Sequence, residues 1–109
     1  MRVLFDHGVP RGLATLLTGH SITAAKDMGW ERLANGDLLR AAEEAGFTVF
    51  LTTDQNIRYQ QNMASRTIAL VVLSGSSKWS RVARHAVRVG DSVSNARTGS
   101  YAEVLIPFD

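Results

Sequence analysis

The chain has 109 residues, 45% of them hydrophobic, with two prolines, no cysteine and a formal charge of +2. That length suits one domain with its own core, and the composition excludes disordered arms, a disulfide scaffold and thiolate metal sites. No apolar run nears the roughly 20 residues that cross a bilayer, and the opening M-R-V-L-F-D does not read as a signal peptide. The expectation is a single cytoplasmic domain over 1–109 with no membrane partner.

Charge is unevenly placed. Residues 1–60 hold six Lys/Arg against seven Asp/Glu, whereas residues 61–109 hold six against three. The asymmetry is compatible with an acidic site beside a polyanion-binding flank.

Residues 2–6 (R-V-L-F-D) read as a short strand ending in an acid. Pro10 suits the first turn of a helix, and Leu13, Leu16 and Leu17 give residues 12–17 an apolar face. Residues 21–26 read as a weaker strand, and 27–34, with Met28, Gly29, Trp30 and Glu31, as irregular. Asn35 is a good N-cap, and Asp37 falls in the first turn of a helix. Its Leu38, Leu39, Ala41, Ala42 and Ala45 recur at helical spacing until Gly46. Residues 48–53 (T-V-F-L-T-T) are β-branched or aromatic nearly throughout and apolar on both faces, the mark of a buried parallel strand. A short helix is expected over 57–63, then the most apolar strand of the chain over 67–73 (T-I-A-L-V-V-L) and a loop over 74–78. A long helix over 79–96 and a turn at 98–100 lead to an edge strand over 101–108, where Pro107 is tolerable.

This alternation predicts a three-layer α/β/α sandwich on a mainly parallel five-stranded sheet. The ends of the first and third strands then share one edge of the sheet, where open α/β folds bind ligands. If those strands are neighbours, Asp6 and Asp54 approach each other. Asp37 reaches the same edge only if the loop before its helix folds back. Carboxylates converging without a basic partner repel, unless some are protonated or a hard divalent cation sits among them. Mg²⁺ or Mn²⁺ on oxygen ligands suits phosphoryl chemistry.

The segments F-D-H-G-V-P, N-G-D-L-L-R-A-A and L-T-T-D-Q-N, in this order and spacing, resemble the PIN-like superfamily. The best match is its short bacterial branch, related to the toxin ribonucleases of toxin–antitoxin pairs, and the resemblance runs over most of the chain. It implies a Mg²⁺- or Mn²⁺-dependent endoribonuclease with Asp6, Asp37 and Asp54 as catalytic, metal-binding acids. Asn56 would be an auxiliary oxygen ligand, RNA the substrate and an antitoxin the cellular partner, with a homodimer left open. Two positions depart from the branch's pattern. Gly8 stands where Asn is often found, and Asn56 stands where a second Asp is common, keeping an oxygen but losing a charge.

Arg11 and Arg58 each follow a candidate Asp by a few residues, well placed to hold a phosphate. Lys78, Arg81, Arg84, His85 and Arg88 form a basic flank whose spacing of three and four puts most of it on one face of the last helix. That face is either a phosphate-contacting stripe or simply solvated. Tyr59 and Trp79 could stack on unpaired bases, or simply pack. His7 and Glu31 are held in reserve, one as a neighbour of the metal ligands and the other as a fourth acid.

Plainer roles compete with these. Asp54 could only close a turn through its side chain, and Asp37 could only favour its helix dipole. Two other functions compete as well: a catalytically inactive PIN-like interaction module and a phospho-accepting receiver domain. The receiver fits the acid after strand 3 and Ser74 after strand 4. It is opposed by the lack of paired acids after strand 1 and of a lysine in 101–108.

Overall fold

In a computed structural model of the chain, residues 1–57 and 62–108 are described. The helix expected over 57–63 falls mostly outside them, and Arg58 and Tyr59 wholly so. Five strands, β1 (Arg2–Phe5), β2 (Ser21–Ala24), β3 (Val49–Thr52), β4 (Ala69–Gly75) and β5 (Tyr101–Ile106), form one sheet in the order β2-β1-β3-β4-β5. Every neighbouring pair is parallel, so the sheet is wholly rather than mainly so. The order is that of flavodoxin-like doubly wound folds, whose switch point lies between β1 and β3.

The unbroken apolar runs of β3 and β4 are what a sheet covered on both faces requires. Side chains alternate through it. Val3, Phe5, Val49, Leu51, Val71 and Leu73 pack into one core with Leu13, Val82, Ala86, Val89 and Val93. Leu4, Phe50, Leu70 and Val72 pack into the other with Leu38, Leu39, Ala42 and Ile57. The first core lies under helices α2 (Trp79–Arg84) and α3 (Ala86–Ser94), the second under α1 (Asn35–Glu44). The result is the expected three-layer α/β/α sandwich. Phe50 is fully buried at its centre, and truncating such a residue to alanine costs about 3–5 kcal/mol.

Gly46, at φ +88°, ends α1 in the left-handed conformation, with its N–H on Glu43 O and the Phe47 N–H on Ala42 O. Glu43 then ties α1 to the entry of β4. Its Oε1 accepts from Arg66 Nη1 at 2.8 Å, and its Oε2 accepts from the Thr67 N–H at 2.6 Å and the Thr67 hydroxyl at 2.9 Å. Burial alone would raise the Glu43 pKa, but the Arg66 guanidinium and the donors of Thr67 and Ile68 hold it below its ordinary value.

Several expected elements differ. The turn after Pro10 is a short 3₁₀ helix, Arg11–Thr15. Ala34, not Asn35, caps α1, because Asn35 is already helical. The long helix expected over 79–96 is broken at His85, whose N–H donates to Val82 O, three residues back. The break leaves the apolar face intact, since Val82, Ala86, Val89 and Val93 remain buried at spacings of three and four. β5 is an edge strand, as expected, and it ends at Ile106, before Pro107. Among the described residues, no helix is long and apolar enough to cross a membrane.

Candidate functional site

The site sits at the carboxyl edge of β1 and β3. Phe5 and Leu51 are register partners, and the Asp6 N–H donates to Leu51 O at 3.0 Å, so the pairing carries Asp6 level with Thr52. The buried Thr52 hydroxyl links the two acidic strand ends. It donates to Asp6 Oδ2 at 2.7 Å and accepts from the Asp54 N–H at 3.0 Å. Asp6 Oδ1 accepts from the His7 N–H at 2.9 Å.

Asp54 is held just as firmly. Its Oδ1 accepts from the Asn56 N–H at 3.0 Å, the two-residue side-chain turn typical of Asp. Its Oδ2 accepts from Asn35 Nδ2 at 3.0 Å. A carboxylate can only accept, which orients the Asn35 amide with its nitrogen toward Asp54. The loop before α1 does fold back to this edge, and Asn35 rather than Asp37 makes the contact. His7 Nε2 meets Glu31 O at 3.1 Å, and because a carbonyl only accepts, Nε2 carries the proton there. The segment from Glu31 to Asn35 is thereby tied at one end to the β1 loop and at the other to the β3 loop.

Asp37 stays apart. It is exposed and faces Arg40 at 3.9 Å, one turn along its own helix, which matches its plainer role at a helix start. Glu31 contributes its backbone carbonyl, and its side chain is exposed. Among the described residues, no three of His, Cys, Asp and Glu form a group able to hold a metal ion.

The donor chemistry of each of the two acids nonetheless suits a hard cation. Among the described residues, each of the four carboxylate oxygens accepts one hydrogen bond. A carboxylate oxygen has two lone-pair positions, so each keeps one. Mg²⁺ is commonly held by one or two carboxylates with water and substrate phosphate filling the remaining positions.

Beside Asp6 opens a cleft of about 100 Å³. Phe5, Val9, Ala24 and Ala25 form its apolar lining, and Asp6, His7, Arg11 and Lys26 its polar lining. Arg11 lies 3.5 Å from Asp27, and both side chains are largely in solvent.

The basic flank is not one helix face. Arg81 and Arg84 lie on α2 while Arg88 lies on α3, because the chain breaks at His85 between them. Arg88 Nη1 donates to Leu105 O at 2.9 Å and contacts His85 Nδ1 at 3.2 Å, which fixes it on β5. Lys78 and Arg84 are exposed and Arg81 half-buried. Trp79 packs on the Arg11–Thr15 turn: a Cβ on Gly12 would lie 2.6 Å from Cζ2 of its ring.

Thr52, Asn35 and Lys26 were not foreseen as site residues. Thr52 had a legible signal, as a hydroxyl that ends β3 two positions before Asp54, within reach of its backbone N–H. Compared with protein-family models, curated proteins and solved structures, the chain matches none.

Proposed function

We propose that the chain is a PIN-like endoribonuclease dependent on Mg²⁺ or Mn²⁺, with Asp6 and Asp54 as its metal-binding acids. The observation that carries this reading is the Thr52 hydroxyl, which joins the Asp6 carboxylate to the Asp54 backbone at the switch point of the sheet. Asp6 and Asp54 would hold the ion, which would supply an activated water and neutralise charge on the phosphodiester. The residues of the chain do the positioning. Thr52 and the His7 N–H fix the Asp6 carboxylate, while Asn35 and the Asn56 N–H fix that of Asp54. Asp37, exposed beside Arg40, is outside the first group of ligands in this reading. The roles of cytoplasmic toxin and of an antitoxin as partner rest on the resemblance of the three motifs alone.

Calorimetric titration with Mn²⁺ tests the proposal on the wild type beside Asp6→Asn, Asp54→Asn and Asp37→Asn. Binding that disappears in the first two variants and survives in the third is expected. Binding indifferent to Asp6 and Asp54 removes the metal site.

A second reading, a PIN-like fold that binds a partner without catalysis, is favoured by the failure of Asp37 to form a metal-holding group with the other acids among the described residues. RNA binding that ignores Mg²⁺, together with no Mn²⁺ binding, would establish it. The receiver reading has the strand order and Ser74 on its side, but His7 follows Asp6 and β5 has no lysine.

A further inference from the structure

We infer that the cleft beside Asp6 seats one phosphate group of an RNA strand, gripped by Arg11 and Lys26; that the phosphate belongs to RNA rests on the function proposed above. A volume of about 100 Å³ is well below the roughly 300 Å³ at which pockets begin to enclose whole small molecules. The cleft therefore takes a group rather than a nucleotide. Arg11 and Lys26 are the two cations among the residues that line it, beside the acid Asp6, and they give it its means of holding an anion.

The local charges set how the anion enters. Arg11 and Lys26 are opposed by Asp6 and by Asp27, which holds Arg11 at 3.5 Å. Four charges that cancel make a weak phosphate site. Two changes strengthen it. An exposed ion pair at that distance is weak, so the Arg11 guanidinium turns readily from Asp27 to a phosphate, to which it can donate two hydrogen bonds. A divalent cation on Asp6 would remove that carboxylate's repulsion of the phosphate, and by linkage phosphate and cation would then favour each other's binding. Asp27 acts as a competitor for Arg11, so its removal should strengthen binding, the reverse of what ordinary damage to a protein surface produces.

The test is a salt series of single-stranded oligoribonucleotide binding in EDTA, read by fluorescence anisotropy, on wild type, Arg11→Ala/Lys26→Ala and Asp27→Asn. All three side chains are exposed, and melting curves check that the variants fold. Arg11→Ala/Lys26→Ala is expected to bind more weakly, with a log–log salt slope shallower by about 0.7, the value for one phosphate of a single strand. Asp27→Asn is expected to bind several-fold more tightly. An unchanged slope in the double variant, a loss of affinity in Asp27→Asn, or wild-type protein that binds no RNA at low salt overturns the proposal.

Mn²⁺ titration of the same proteins separates this failure from failure of the metal site. An unchanged slope with Asp6-dependent Mn²⁺ binding removes the cleft and leaves the nuclease. The expected slopes without Mn²⁺ binding leave the cleft and remove the nuclease.

Discussion

Gly8 and Thr53 touch so closely that a Cβ on residue 8 would fall onto the Thr53 hydroxyl. The loop after β1 thus lies directly against the end of β3, and this explains why a larger residue does not stand at position 8. Gly8→Ala should destabilise the fold by about 1–3 kcal/mol, the usual cost of overpacking. Adding Thr53→Ala removes the atom that is struck and should restore most of the loss. Urea melts of the two single variants and the double variant measure the coupling.

Thr52→Val keeps the shape of the side chain and removes the hydroxyl. It leaves the Asp54 N–H and one Asp6 oxygen short of a partner, and stability should fall by about 1–3 kcal/mol. Mn²⁺ affinity should fall with it, because Asp6 loses one of the two hydrogen bonds that hold its carboxylate. Thr52→Ser, which retains the hydroxyl, should preserve the affinity. The pair of variants separates the hydrogen bond from the packing of the methyl group.

Glu43 makes the fold sensitive to acid. Its pKa is lower in the folded chain than in the unfolded one, so the folded state favours the ionised form. That contribution is present above the ordinary carboxylate value and is lost as pH falls below about 4.3, through the lower folded value. Glu43→Gln should be less stable at neutral pH and should show a flatter loss of stability on acidification. Melting temperature against pH for the two proteins checks both.

Ser74, next to the last residue of β4, is buried, and among the described residues its hydroxyl has no hydrogen-bond partner. An orphaned buried hydroxyl costs free energy, so Ser74→Ala should raise stability by about 1 kcal/mol. Urea melts measure it, and a loss of stability would mean that the hydroxyl is satisfied in solution.

The parts of the fold most legible in the sequence are those governed by continuous burial. The runs around Phe50 and Val71 announce covered parallel strands because no polar residue interrupts them. Asp6 and Asp54 were legible for the same reason, each being the first charge after such a run. The break at His85 was not legible, because a helix can stop and restart without disturbing the spacing of Val82, Ala86, Val89 and Val93. Asn35 and Asp37 illustrate a second limit. Both suit a helix start, and only the path of the preceding loop decides that the amide meets Asp54 while the carboxylate turns to Arg40. The Gly8–Thr53 contact was illegible because it joins two loops distant in the chain.

The two indoles of the chain serve different purposes as optical probes. Trp30 sits edge-on against Phe47, with ring centres 6.1 Å apart, and its emission follows the integrity of the core beneath α1. Trp79 is 42% exposed and rests on Gly12, the neighbour of Arg11, so its emission would report a phosphate entering the proposed cleft. Trp30→Phe would leave a protein whose only indole stands beside the proposed cleft, and Trp79→Phe one whose only indole stands over the core beneath α1.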